Sequence, residues 1–327
     1  MSLVGSPRPP AAFDMLTTHT AAAAPPRRRR LRAPSFSLAI PSILWYGFFF
    51  VLPILLIVWY SFGVKNTAST SGVPLDMAHP GLQNYRDAFD PTFFTVFKTT
   101  LKISIIATTL CFVFGFPVAY FLVFKVSERW KAIMLALIVV PSFTSFLIRT
   151  LAWRIPLAAN GEVSKLLQSW GVIGGPINIL DTRTAVQLAI VYNYLGFMIL
   201  PLFVALDRID HHMREASKDL GANRLRTFLQ VTLPLAGPGI AAGVMLTFIP
   251  MCGDFVTATL LGGTSGNMIG AMIDSQFHVA QNWPLGSAMA VMMIGAVLLV
   301  LAVGSILVFG AQWILRRRRH IEIAMTT

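Results

Sequence analysis

Residues 215–234 read Glu-Ala-Ser-Lys-Asp-Leu-Gly-Ala-Asn-Arg-Leu-Arg-Thr-Phe-Leu-Gln-Val-Thr-Leu-Pro, a polar island between two long apolar stretches. The island reads as two short helices and a hinge. Asp210 is placed to cap the first helix, on which Met213, Ala216 and Leu220 share one side at helical spacing. Gly221 supplies the left-handed residue that ends a helix without steric cost. Asn223 is placed to cap the second helix, whose Leu225, Phe228 and Leu229 form another apolar stripe, and Pro234 is expected to stop it. A few residues suffice to join two helices. A structured hairpin in a connecting loop therefore implies that something docks on it.

The flanking sequence places the island in a membrane protein. The 327 residues are 55% apolar and only 12% charged, with a mean hydropathy of +0.67, a composition of membrane helices rather than of a soluble core. The net charge of +12 gathers in particular segments and not on one polar face, so it reports topology and gives no reason to expect nucleic acid. Cys111 and Cys252 both lie in apolar runs, which argues against a disulfide framework or a thiolate metal site. None of the six histidines lies inside an apolar stretch, which excludes a haem-ligating membrane cytochrome. No phosphate-binding Gly-x4-Gly-Lys-Ser/Thr loop occurs, so any ATP that drives the protein is bound by another chain. No cofactor or metal is expected.

Six apolar spans follow in order, at about 37–62, 92–124, 132–150, 184–206, 235–261 and 286–315. Trp45, Tyr46, Trp59 and Tyr60 lie towards the ends of the first, as interfacial aromatics do. Lys98 and Lys102 are placed to snorkel from the second, Pro117 to kink it, and Pro141 falls near the middle of the third. Between spans three and four, Asn160-Gly161 signals a turn, and Val163, Leu166, Leu167 and Trp170 outline a short amphipathic helix. Residues 262–284 read as a loop without Lys or Arg. Residues 1–36 read as a disordered basic tail that orients the first span. A twin-arginine export signal is the competing reading of Arg27–Arg30, disfavoured because the following apolar run is too long. With both termini on the side of the hairpin, roughly three-quarters of the Lys and Arg outside the spans fall on that side, which marks it as cytoplasmic.

The spacing Glu215-Ala216-Ser217, Gly221, Val231-x-Leu233-Pro234 resembles the E-A-A loop of permease subunits of binding-protein-dependent ABC importers, with Ser217 and Val231 in place of the usual Ala and Ile. Further pieces are similar to the spermidine/putrescine type: Arg149-Thr150-Leu151-Ala152-Trp153, Gly253-Asp254-Phe255-Val256, Leu261-Gly262-Gly263, Ile269-Gly270, Gln276-Phe277 and Asn282-Trp283-Pro284. The resemblance implies an all-α integral membrane fold of six transmembrane helices. Both termini are then cytoplasmic, and a cytoplasmic helical coupling loop (207–234) lies between spans four and five. The transmembrane domain is then 37–315 and the second basic cytoplasmic tail 316–327. It further implies a pair of cytoplasmic ATPase subunits, a second permease subunit, by the family pattern a paralogue, and an extracytoplasmic solute-binding protein, with ATP hydrolysis outside this chain. The ATPase-coupling residues are then Glu215, Ala216, Ser217, Gly221, Leu233 and Pro234.

Two residues are candidates for the solute pathway. A charged Asp254 within a span costs roughly 2.5–3.5 kcal/mol on insertion scales, so it should face the bundle interior or a wet cavity. It is either a counter-charge for a passing cation or a carboxylate bonded to Thr257 and nearby backbone. Asn193, with Gln187, Thr144 and Ser145, either lines a path or bonds between helices, the commoner use. Gly243, Gly295 and Gly304 read as close-packing positions. The solute is polyamine-like by resemblance, with an opine, an amino acid or thiamine as alternatives. A secondary transporter or a non-catalytic structural subunit are the rival classes. Neither explains the hairpin.

Overall fold

A computed structural model describes residues 36–66, 75–263 and 265–324, with side chains from 40 to 306. The expected tail over 1–35 lies outside the described residues. The chain divides into two units, Met1–Leu52 and Pro53–Thr327. In the first, an α-helix over Phe36–Tyr46 runs into a π turn over Gly47–Val51. None of the π-turn residues is buried, and Trp45 and Phe49 pack their rings at 4.4 Å.

The second unit is built around three helices: Pro91–Lys125, Arg183–Asp207 and Gly237–Cys252. Asp90 starts the first of these, its carboxylate accepting from Thr92 N at 2.9 Å with Pro91 in the first turn, where a missing N–H costs nothing. Thr182 caps the second in the same way through Ala185 N. The core lies where the three meet, at Ala107, Cys111, Ala119, Ile190, Met198 and Leu202. Close approach depends on glycine: a Cβ on Gly243 would sit 2.7 Å from Met198 Sδ, and one on Gly239 2.7 Å from Pro201 O. Gly295 and Gly304 have nothing within 4 Å and open outward. The close-packing expectation therefore holds within this chain for Gly243 alone of the three.

Among the described residues, four unbroken helices are long and apolar enough to cross a membrane: Ile40–Tyr60, Pro91–Lys125, Arg183–Asp207 and Trp283–Ile306. Two bent pairs raise the number to six. The third expected span is one of them. Glu128–Phe143 and Phe146–Leu157 meet at 91°. Pro141 offers no N–H, the chain tightens into a 3₁₀ turn over Val140–Phe143, and Thr144 and Ser145 then adopt extended backbone. The expected fifth span, 235–261, is divided at Gly253-Asp254 into Gly237–Cys252 and Phe255–Leu261. Arg224–Leu235 joins Gly237–Cys252 at 62°.

Pro234 lies one residue before the end of its helix, which stops at Leu235 beside the 62° bend. A π turn over Phe228–Thr232 precedes it, and the N–H of Leu233 reaches back to Phe228 O, a register that accommodates the absent N–H one residue later. The same arrangement, Leu52 N–H to Gly47 O, precedes Pro53. The stretch 262–284, expected to be a loop, contains the helix Ile269–His278. Its first residue is fixed by Ile269 N donating to the buried Thr100 Oγ1 at 2.8 Å. The final helix runs Trp283–Ala324 through Arg316–Arg319. The amphipathic helix between spans three and four is present over Glu162–Ser169.

Candidate coupling hairpin and intramembrane polar residues

The hairpin forms by the capping chemistry its sequence carries. Asp210 accepts from His212 N at 3.0 Å and starts the helix His211–Asp219, and Asn223 accepts from Arg226 N at 2.8 Å and starts the second arm. Between them Gly221 has φ +81°, a left-handed turn in which Gly221 N and Ala222 N donate to Lys218 O and Ser217 O. The arms are held together by the Ser217 and Thr227 hydroxyls, 3.2 Å apart.

The hairpin exposes apolar side chains among charged ones. Leu220 is 90% exposed and Leu225 65%, with Met213 and Leu229 also exposed. Glu215 is half-exposed, and both its oxygens lie near imidazole nitrogens one turn back, at 3.2 Å from His211 Nδ1 and 3.5 Å from His212 Nδ1. Ala216 is exposed, Ser217 half-buried. Leu233 packs on the edge of the core and Pro234 is exposed. Small and apolar side chains thus surround a fixed left-handed bend.

Asp254, 5% exposed, starts the short helix Phe255–Leu261. Its Oδ1 accepts from Thr257 N at 2.9 Å and its Oδ2 from the Thr257 hydroxyl at 2.6 Å. Asn193 is fully buried and donates to Thr150 Oγ1 at 3.0 Å, joining Arg183–Asp207 to Phe146–Ala152, while its Oδ1 is buried with no partner. Gln187 donates to Ile103 O at 3.3 Å. Thr144 and Ser145 are exposed at the 91° break, and Thr144 bonds back to Pro141 O. No side-chain hydrogen bond found among the described residues joins one of these to another; Asp254 and Thr144 bond to their own segments, Asn193 and Gln187 to neighbouring helices.

Sequence reasoning missed Arg214, Tyr120 and Phe124. Arg214 Nη2 donates to the Tyr120 hydroxyl at 3.1 Å, and its guanidinium carbon sits 3.8 Å from the Phe124 ring centroid. The spacing of Phe112, Phe116, Tyr120 and Phe124 by four marks one aromatic stripe, but a stripe does not name its partner.

These features define a polytopic helical membrane protein with a polar helical hairpin that exposes a few apolar side chains. Residues 93–320 match the family model described as binding-protein-dependent transport system inner membrane component. The chain belongs to that family. It is 37% identical over 247 residues to the spermidine/putrescine transport system permease protein PotB of Haemophilus influenzae, covering 76% of this chain and 84% of that protein. PotB of Escherichia coli is 36% identical, covering 78% and 92%. The inner membrane ABC transporter permease protein YdcU of Escherichia coli is 31% identical, covering 82% and 87%. The fold is similar to a chain of a bacterial ABC transporter that imports the acidic polysaccharide alginate, with TM-score 0.66 and 18% identity over 83% of this chain and 93% of that one.

Proposed function

We propose that this chain forms half of the translocation pathway of an ABC importer for a polyamine-like cation and couples to separate ATPase subunits through Glu215–Gly221. The observation that carries the coupling role is the hairpin itself, capped at both arms, pinned at Gly221 and presenting Leu220 and Leu225 outward. Isolated apolar side chains at the tip of a polar hairpin gain from burial in a partner's cleft. A short rigid helix lodged there passes rigid-body movement to the helices on either side and switches access from one face to the other. The polyamine reading is supported by the PotB relatives. The assembly then contains a cytoplasmic ATPase dimer, a second permease subunit of paralogous sequence and an extracytoplasmic binding protein. The hairpin and both termini lie in the cytoplasm, Glu128–Phe143 with Phe146–Leu157 makes one of six spans and Gly237–Cys252 with Phe255–Leu261 another, and no cofactor resides in this chain.

For Asp254 and Asn193, the bonds favour structural duty within the pathway's walls. Asp254 caps a half-helix through both oxygens, and Asn193 bonds across to Thr150.

Purification of the tagged chain from its host tests the assembly. A soluble ATPase and a second permease should accompany it, and the reconstituted complex with its binding protein should take up spermidine on ATP addition. Uptake driven by an ion gradient without ATP would overturn the reading. ATP-driven uptake of an opine, an amino acid or thiamine in place of spermidine would reassign the solute only. Glu215→Lys and Gly221→Val should uncouple hydrolysis from uptake while the chain stays in the membrane.

A further inference from the structure

The hairpin is held by a helix distant from it in sequence. Its first arm reaches the end of Pro91–Lys125 through Arg214, whose guanidinium lies 3.8 Å from the Phe124 centroid and 5.7 Å from that of Tyr120, with Nη2 on the Tyr120 hydroxyl at 3.1 Å. The second arm reaches the same place through Phe228, whose ring meets Phe116 at 5.6 Å and Tyr120 at 6.0 Å, both edge to face. Ser217 and Thr227 join the arms at 3.2 Å. Three connections close a triangle, and a triangle does not shear.

We propose that Arg214 is a positioning residue that ties the coupling hairpin to Pro91–Lys125, so that movement of the hairpin drives this helix as a rigid lever; this rests on the coupling role assigned above. Packing alone does not require a cation at position 214. The Nε of Arg214 is buried without a partner, a cost that a leucine filling the same space would not incur. What the arginine adds is direction. A planar guanidinium stacked on one ring and bonded to the next side chain fixes the rotation of the arm about the helix, which an aliphatic contact leaves free.

The lever has a defined far end. The helix of 35 residues spans about 50 Å at 1.5 Å per residue. Towards its start, Thr100 Oγ1 accepts from Ile269 N at 2.8 Å in a buried position. The backbone of that second helix lies against the Gly253-Asp254 break, where a Cβ on Gly270 would come within 2.9 Å of Gly253 O. Displacement of the hairpin thus reaches the divided span along continuous contacts.

The test uses the assembled transporter in lipid nanodiscs with nitroxides at the exposed positions Val113 and Leu188, which report movement between two helices without reference to the solute. In the wild-type complex, a non-hydrolysable ATP analogue is expected to shift this distance, and a wild type without a shift would overturn the proposal. Arg214→Met is expected to abolish the shift and to raise the ATP hydrolysed per spermidine imported by about fivefold or more, with the ATPase still co-purifying. Tyr120→Phe, which removes one oxygen, should show part of the same loss. Combined with Arg214→Met it should add less than its separate effect. A wild-type shift in Arg214→Met would overturn the proposal. If Arg214→Met does not assemble, a wild-type shift in Tyr120→Phe overturns it equally. Gly221→Val separates the two readings. If that variant also retains the shift and normal coupling, the hairpin is not the ATPase contact. If it loses them while Arg214→Met does not, only the strut is wrong.

Discussion

Asp254 holds Thr257 with both carboxylate oxygens, one on the backbone N–H at 2.9 Å and one on the hydroxyl at 2.6 Å. This is an N-cap set at a break in a span, where unpaired donors have no water to turn to. The carboxylate serves the half-helix Phe255–Leu261 before it serves any solute.

Asp254→Asn keeps an acceptor for the Thr257 N–H, so stability in detergent should change little and uptake of a cationic solute should persist with similar kinetics. Asp254→Leu leaves two buried donors unpaired and should cost about 1–3 kcal/mol, read as a lowered unfolding temperature. A large loss of cation uptake in Asp254→Asn at unchanged stability would establish the counter-charge role instead.

Gly221 stands at φ +81° with nothing within 4 Å of a would-be Cβ. Strain from the backbone is therefore the whole penalty of a substitution there. Gly221→Asn should be the mildest change and Gly221→Val the worst, the left-handed conformation costing a β-branched residue about 1–2 kcal/mol or more. Because the hairpin is local, the effect should appear as ATP hydrolysis uncoupled from uptake and not as global unfolding.

Gly243 and Gly295 should respond in opposite ways to Leu. At Gly243 the added side chain meets Met198 Sδ and Pro201, and overpacking should destabilise the fold by about 1–3 kcal/mol. At Gly295 there is open space. Thermal unfolding of the isolated chain in detergent distinguishes them, and a loss confined to the assembled complex for Gly295→Leu would mark a partner contact.

Asn193→Leu removes the bond to Thr150 together with the unpartnered Oδ1. Interhelical hydrogen bonds in membranes average about 0.6 kcal/mol, so a small loss, or a gain from removal of the orphan oxygen, is expected. A variant that folds normally and loses transport would assign Asn193 to the pathway.

The hairpin was legible because its information is local. Asp210, Asn223 and Gly221 each act within a few residues, and the caps and the left-handed bend formed as their types require. Hydropathy likewise located the long helices at 91–125, 183–207 and 283 onward. It did not show where spans break. Pro141 was visible, but a proline inside an apolar run is compatible with a kink, a broken span or a helix that continues, and Pro117 sits within an unbroken 35-residue helix. The helix Ile269–His278 carried a signal in Met268, Ile269, Met272 and Ile273, which the surrounding glycines and polar residues obscured.

By itself, then, the amino-acid order determined the class, the hairpin and its caps, since hydropathy over some twenty residues and capping over three or four are short-range properties. The tertiary structure decided which neighbours each group received. Asp254 was given Thr257, Asn193 was given Thr150, and Arg214 was given Phe124 and, 94 positions away, Tyr120. Periodicity carries no record of such pairings, because a stripe specifies a face and only packing specifies what lies against it.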